Sequence, residues 1–184
     1  ANEYKTLKRH EESKGLYGRV LQQYPDSPAA RSARLELLKY KIESLVAAGE
    51  DAAVESEITT AKTEFASHPE LPGFLCSIAN EYETLKKHDQ AKGLYEQIFQ
   101  QYPNSPAAKN ARLELVRYEV LSLAAAGEDA AVQSEIVKAK TEFAGRRELP
   151  GFLYSIANQY KKLKKHEEAK GLYEQIAQQY PNKS

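Results

Sequence analysis

Residues 75–82 read Leu-Cys-Ser-Ile-Ala-Asn-Glu-Tyr, and the octet returns 78 residues later as Leu-Tyr-Ser-Ile-Ala-Asn-Gln-Tyr at 153–160. Its second half, Ala-Asn-Glu-Tyr, also opens the chain at residues 1–4. Laid over 79–156 without a gap, residues 1–78 are identical at 53 positions, and 157–184 match 79–106 at 20 positions. The chain therefore consists of a duplicated 78-residue block and the start of a third copy.

Around the octet, apolar residues recur at offsets of three, four and seven, the spacing of one helical face. The spacing predicts a first helix over 72–87 and a second over 89–102, which Pro103 stops. The residues that carry it are Leu75, Ile78, Ala79 and Tyr82, then Ala91, Tyr95 and Ile98.

Prolines divide each block into two helical hairpins. Pro28, Pro72, Pro106 and Pro150 lie 44, 34 and 44 residues apart, each in the predicted first turn of a helix, where a missing N–H costs nothing. Ser27 and Ser105 are predicted N-caps. The 44-residue hairpin is predicted to place helices over 106–126 and 129–144, with Gly127 as a left-handed C-cap.

The 34-residue hairpin resembles the tetratricopeptide repeat. Its pattern positions are filled by Leu75, Ile78, Ala79, Tyr82, Ala91, Tyr95, Ile98 and Pro103, and again by Leu153, Ile156, Ala157, Tyr160, Ala169, Tyr173, Ile176 and Pro181. The first copy begins midway, and the 44-residue hairpin reads as an elongated unit. The junction at 101–108 resembles those of bacterial cell-envelope members.

The resemblance implies an all-α fold, a right-handed superhelical solenoid of stacked antiparallel helix hairpins, with residues 1–184 as a single domain. It also implies a non-catalytic scaffold that binds a protein or peptide in a concave groove lined by the first helix of each hairpin. The matching groove positions are Asn2, Lys5, Cys76, Asn80, Glu83, Thr84, Tyr154, Asn158, Lys161 and Lys162.

Comparing the copies favours recognition of a partner. The asparagine at 2, 80 and 158 is constant, and an amide can donate to and accept from an extended peptide backbone. Neighbouring groove positions change chemistry, from cysteine to tyrosine and from glutamate to lysine; drift at exposed positions would look similar. The basic clamp of chaperone-binding members would need lysine where Cys76 and Tyr154 stand, so that subtype is disfavoured.

Composition argues against several other classes. Lys plus Arg and Asp plus Glu each number 26, and this neutrality argues against a nucleic-acid or membrane-surface protein. No apolar run is long enough to cross a bilayer. A lone Cys76 makes neither an intramolecular disulfide nor a structural zinc site and leaves the compartment open. No nucleophile motif, acid/base pair or phosphate-binding loop is present, so we expect no catalytic, cofactor or metal site.

Two other residue types receive structural interpretations. His10, His88 and His166, one block apart, are interpreted as cations that offset the dipole at a helix C-terminus rather than as metal ligands. Gly93 and Gly171 fall inside predicted helices, where we expect them to permit close packing.

Alternatives to groove binding remain. The array could be a structural spacer with no groove ligand; RNA binding would need a basic, aromatic inner face, to which only Tyr154, Lys161 and Lys162 contribute. The sequence contains no methionine and opens within a predicted helix, so we expect either that the parent protein continues or that the ends self-associate end to end.

Overall fold

The computed structural model describes residues 2–180, with side chains from residue 9 onward. Within this range the chain forms nine helices and no strand. They are α1 (Asn2–Gln23), α2 (Pro28–Ala48), α3 (Asp51–Glu64), α4 (Leu71–Thr84), α5 (His88–Gln101), α6 (Pro106–Ala126), α7 (Asp129–Glu142), α8 (Leu149–Lys162) and α9 (His166–Gln179). The prediction of an all-α fold of helical hairpins is confirmed.

The long helices α2 and α6 begin where the sequence predicts. The Ser27 hydroxyl accepts from the Ala30 N–H at 3.1 Å, and the Ser105 hydroxyl accepts from the Ala108 N–H at 3.0 Å. Each cap precedes a proline at the first helical position. A serine cap satisfies an amide that would otherwise lack a partner, so both N-cap predictions are confirmed.

Glycines end the same two helices. Gly49 and Gly127 have φ values of 80° and 82°, the left-handed conformation that a residue without Cβ adopts easily. The following residue closes the turn, because the Glu128 N–H donates to the Leu123 carbonyl at 3.0 Å. The Gly127 C-cap prediction is confirmed.

The turn between α4 and α5 lies earlier than predicted. The first helix ends at Thr84 rather than near residue 87, because Lys86 takes a φ of 60° and the Lys87 N–H donates to the Tyr82 carbonyl at 2.8 Å. Lys164, with a φ of 62°, makes the same turn between α8 and α9. Neither turn contains a glycine, so residue type alone did not indicate the positive φ at Lys86 and Lys164.

This shift corrects the interpretation of the histidines. His88 and His166 begin α5 and α9, and His10 lies within α1, so none of the three stands at a helix C-terminus. His88 and His166 lie in the first turn of the second helix of their hairpins, where the dipole disfavours positive charge. Nδ1 of His88 instead lies 3.3 Å from Glu83 Oε1, across the turn.

The first copy differs from the other two. Its residues 7–9, which correspond to the turns at 85–87 and 163–165, continue the helix, so α1 runs unbroken from Asn2 to Gln23. In the later copies the lysine that closes the turn, Lys87 or Lys165, is held by an aspartate of the preceding helix.

The chain divides into two compact units, residues 1–94 and 95–184. In the first, α2 packs against α1, α3 and α4; in the second, α6 packs against α7 and α8, and α8 packs against α9. The core of the second unit joins Leu113, Val116 and Val120 of α6 to Leu153 and Ile156 of α8. That residues 1–184 form one domain stays a prediction.

The helical glycines do not have the role predicted for them. A Cβ built on Gly93 or Gly171 meets no other atom within 4 Å, so neither glycine allows two helices to approach closely. Both glycines lower the helix propensity of their segments, and in the described structure neither makes a close contact that would compensate for this.

Candidate functional site

The face of α8 outside the core carries four of the predicted site residues. Counted from Tyr154, the residues Asn158, Lys161 and Lys162 lie four, seven and eight positions further along, so the four side chains form a stripe along the helix. We call these four residues the α8 surface. On the other side of the helix the apolar stripe is completely buried, with exposures of 0% at Leu153, Ile156, Ala157 and Tyr160. The core contacts therefore fix the direction in which the α8 surface points.

Tyr154 is the aromatic element of this surface. It is 54% exposed, and its ring centroid lies 5.7 Å from that of Tyr173 on α9, with the planes inclined by 59°. Tilted pairs at this distance are favourable, so the exposed ring is supported on one side. An exposed tyrosine that is already ordered loses little entropy when a partner covers it.

Asn158 is held by the second helix of its hairpin. The hydroxyl of Tyr173 donates to Asn158 Oδ1 at 2.7 Å. The sequence suggested that this amide both donates to and accepts from a bound peptide, but one acceptor position of Oδ1 is already used inside the hairpin. The bond instead fixes the orientation of the amide within the hairpin.

The C-terminal part of the α8 surface is basic. Lys161 and Lys162 are both exposed in the last turn of α8, where positive charge is favoured by the helix dipole. Their equivalents in α4 are Glu83 and Thr84. These two positions therefore carry one negative charge in α4 and two positive charges in α8.

The equivalent residues of α4 are less available. Cys76 is only 7% exposed, so the expectation that it lines an open surface is wrong: the thiol is part of the core. The Thr84 hydroxyl donates to the Asn80 carbonyl at 3.1 Å, and Glu83 contacts His88. Asn80 itself is exposed. The predicted residues Asn2 and Lys5 fall in α1, but their side chains lie outside the described part of the chain.

A feature that the sequence did not reveal positions the turn after each first helix. Lys87 Nζ lies 2.7 Å from Asp51 Oδ1 and 5.7 Å from the Tyr82 ring centroid. The second unit repeats it: Lys165 Nζ lies 2.6 Å from Asp129 Oδ1 and 5.8 Å from the Tyr160 ring. We call each set, Asp51–Lys87–Tyr82 and Asp129–Lys165–Tyr160, a clasp. Identity of all three residues in both blocks was the only sequence signal for it.

The tyrosines of the clasps have perturbed acidity. Burial raises the pKa of Tyr82 to about 12, and the Asp51 carboxylate adds to the effect. Burial likewise raises the pKa of Tyr160 to about 12, with Asp129 nearby. The Tyr160 hydroxyl makes no well-aligned hydrogen bond, although Asp129 and Gln133 lie close to it. Both phenols therefore keep their protons at neutral pH.

The described side chains give no support for a metal centre. Residues 9–180 contain no group of three or more histidine, cysteine or acidic side chains arranged to hold an ion. In the same part of the chain, none of the helices has the length and apolar character needed to cross a membrane.

Comparison with known proteins bears on these features. A family profile described as tetratricopeptide repeat matches residues 2–27, 79–105 and 152–183. The chain carries tetratricopeptide repeats. The three matched segments fall on the 34-residue hairpins, in agreement with the prediction that the 44-residue hairpins depart from the family pattern. The α8 surface therefore lies on the first helix of such a repeat.

Chains of known structure share this fold. One of them is a crystal structure from Podosopora anserina described as a putative kinesin light chain with nearly identical TPR-like repeats, 18% identical to this chain, with a TM-score of 0.53. The alignment covers 100% of this chain and 93% of that one. Among curated proteins, none matches the chain in sequence. The repeats are generally protein-interaction or scaffold modules without catalytic activity; a bacterial origin stays a prediction.

Proposed function

We propose that this chain is a non-catalytic scaffold that binds a protein or peptide partner through the first helices of its tetratricopeptide hairpins, with the α8 surface as the main contact. The observation that carries the proposal is the pairing of an exposed Tyr154 with an Asn158 whose amide is oriented by Tyr173. Binding sites commonly combine a rigid aromatic contact with a fixed polar group.

The geometry favours an extended segment over a compact one. The stripe from Tyr154 to Lys162 spans eight residues of helix, about 12 Å at 1.5 Å per residue. An extended chain of about four residues covers the same length. Its apolar side chain would cover Tyr154, a backbone carbonyl would accept from the Asn158 amide, and acidic groups would meet Lys161 and Lys162.

The experiment begins with a selection, because the natural partner is not specified by the surface. A displayed library of random linear peptides is panned against the whole chain, and the binders are measured by fluorescence anisotropy. We expect Tyr154→Ala to weaken the selected peptides about tenfold or more, as for a central aromatic contact. Asn158→Ala should weaken them less, because the amide supplies one hydrogen bond.

The matched control is Val137→Ala, which removes an apolar side chain that is 62% exposed on α7. We expect this variant to bind the selected peptides like the parent protein. If the peptides bind Tyr154→Ala as tightly as the parent, the α8 surface is not the contact surface. Circular dichroism of each variant separates loss of binding from loss of fold.

The alternative is a structural spacer, and the clasps favour it. The same aspartate, lysine and tyrosine stiffen the same turn in both blocks, as a spacer of fixed length would require. A spacer needs no conserved surface chemistry, so selection should then return no peptide whose binding depends on Tyr154. The panning result therefore separates the two functions.

A further inference from the structure

A cleft in the first unit lies between α2 and the segment that connects α3 to α4. Its volume is about 1070 Å³, and the N-terminal part of α2 forms one wall with Arg31, Ser32 and Arg34. The opposite wall consists of the end of α3 and the connecting segment, including Glu64 and His68. We call this space the α2 cleft. It shares no residue with the α8 surface and is comparable in size to ligand pockets of other proteins.

The second block carries an arginine of its own in the equivalent place. Arg146 corresponds to His68, and Asn110 corresponds to Ser32. Nη2 of Arg146 donates to Asn110 Oδ1 on α6, and Nε lies 3.4 Å from Glu148 Oε2. The arginine side chain, only 24% exposed, therefore crosses from the connection between α7 and α8 to α6 and occupies the space between them.

His68 does not make this crossing in the first block. Its Nδ1 accepts from the Glu70 N–H at 3.3 Å, and its ring lies edge-on to Phe65 with the centroids 6.0 Å apart. The Glu70 carboxylate, which corresponds to that of Glu148, is 59% exposed and lies 3.9 Å from the same ring nitrogen. Among the described residues, none forms a hydrogen bond with the Ser32 hydroxyl. The two groups equivalent to those that hold Arg146 therefore remain accessible in the α2 cleft.

A further carboxylate of the α2 cleft also differs between the blocks. Glu142 Oε1 lies 3.4 Å from Arg112 Nε, but in the first block the equivalent Arg34 donates to the Pro25 carbonyl at 3.0 Å instead. Glu64, the equivalent of Glu142, is exposed and forms no ion pair within the described part of the chain. Its negative charge is therefore available to a cation that enters the cleft.

The basic residues of the α2 cleft are compatible with a bound cation. The second block has Lys109 and Arg112 where the first has Arg31 and Arg34. It nevertheless holds Arg146 between its walls. A guanidinium group suits such a place, because it is planar, weakly hydrated and able to donate to a neutral oxygen and a carboxylate at the same time.

We propose that the α2 cleft binds an arginine side chain of a partner polypeptide. The guanidinium group donates to the Ser32 hydroxyl and to the Glu70 carboxylate, as Arg146 does to their equivalents, and Glu64 adds a second negative charge. One arginine fills only part of a space of about 1070 Å³, so the residues that flank it in the partner also enter the cleft. This site is independent of the α8 surface.

The probe is Nα-acetyl-arginine methylamide, titrated into the whole ¹⁵N-labelled chain and followed through the amide chemical shifts. We expect saturable shifts at residues 28–34 and 63–70, which line the α2 cleft. The Ser32→Asn/His68→Arg double variant gives the first block the residues of the second. It should weaken binding at least about tenfold, because an attached arginine competes at a high effective concentration.

The reciprocal variant, Asn110→Ser/Arg146→His, is the matched control. It gives the second block the residues of the first and removes the arginine that crosses between α6 and the α7–α8 connection. We expect it to show a second set of saturable shifts, at residues 106–112 and 141–148, so that two probe molecules bind to each chain. Every substituted residue already occurs at the equivalent position of the other block, and circular dichroism checks that both variants are folded.

Several results would overturn the proposal. One is the absence of saturable shifts in the parent, and another is equal binding by the parent and by Ser32→Asn/His68→Arg. Equal binding of Nα-acetyl-lysine methylamide would show that any positive charge suffices. Shifts of the same residues by Nα-acetyl-glutamate methylamide instead of the arginine probe would show that Arg31 and Arg34 make the α2 cleft an anion site.

Discussion

The ammonium group of Lys165 lies 2.6 Å from Oδ1 and 2.7 Å from Oδ2 of Asp129, a residue 36 positions earlier in the chain. Lys87 and Asp51 form the equivalent pair 78 residues earlier, with the ammonium group 2.7 Å from Oδ1 alone. The lysine closes the turn after a first helix, and the aspartate opens the second helix of the preceding hairpin. Each pair therefore joins two successive hairpins through an ion pair.

Removing the Asp129 carboxylate should destabilise the protein modestly. Lys165 and Asp129 keep 26% and 41% of their side chains exposed, so water screens the pair and its contribution is small. We expect Asp129→Asn to lower the free energy of unfolding by about 0.5–1 kcal/mol in urea titrations. A double-mutant cycle with Lys165→Met isolates the pair.

The control for this cycle is the Lys170–Glu174 pair, whose atoms are 3.9 Å apart and whose side chains are 66% and 60% exposed. It should show a smaller coupling than the clasp. A coupling between Asp129 and Lys165 no larger than that of the control pair would contradict the structural role assigned to the clasp.

Gly171→Ala should stabilise the protein, whereas Gly127→Ala should destabilise it. At Gly171 a methyl group meets no atom within 4 Å and gains helix propensity, worth about 0.5–1 kcal/mol. At Gly127 the φ of 82° strains any residue with a Cβ, at a cost of about 1–2 kcal/mol. The urea midpoints of both variants test these opposite changes in stability. Shifts of the two midpoints in the same direction would contradict the roles given to Gly171 and Gly127.

Alkaline pH should weaken the fold through the clasp tyrosines. The folded-state pKa of Tyr82 and of Tyr160 is about 12, above the ordinary value of 10.0, so the folded protein holds these protons more tightly than the unfolded chain. Their contribution is complete below pH 10 and is lost as the pH rises to about 12, by roughly 1–2 kcal/mol for each tyrosine.

The measurement is the urea midpoint at a series of alkaline pH values. The Tyr82→Phe/Tyr160→Phe double variant keeps the lysines and aspartates, so the difference in slope from the parent reports on the two phenols. An identical loss of stability in both proteins would show that the tyrosines do not contribute.

Leu172→Ala should destabilise the fold far more than Leu16→Ala. Leu172 is 5% exposed within the core of the second unit, and truncation of a buried leucine costs about 2–5 kcal/mol. Leu16 is 55% exposed, so its truncation in the unliganded protein should cost less than about 1 kcal/mol. Thermal unfolding of both variants checks the difference; equal losses would mean that α1 buries Leu16 in solution.

The helices were largely predictable because their signals are local. Ser105, Pro106 and Gly127 act on backbone groups within a few residues of themselves, and the predicted helix 106–126 agrees with the observed α6. The turn at 85–87 was missed because Lys86 adopts a positive φ without being glycine. Its conformation is held by the Lys87 N–H on the Tyr82 carbonyl and by the bond from Lys87 to Asp51, and the second of these is not local.

The candidate site was predictable only in part. The resemblance to the tetratricopeptide repeat implied Tyr154, Asn158, Lys161 and Lys162 as site residues, and they do share one face of α8. The resemblance could not show that Cys76, at the same repeat position as Tyr154, is buried, nor that Tyr173 already binds the Asn158 amide. Both facts depend on neighbouring helices.

The sequence by itself determined the repeat, the helical class and the caps, because periodicity, proline and glycine act through the geometry of the local backbone. Only the tertiary structure decided that Cys76 is buried where Tyr154 is exposed, that Tyr173 binds the Asn158 amide and that the two clasps join successive hairpins. Each of these depends on contacts between helices, and equivalent positions in different copies therefore differ in burial and in bonding.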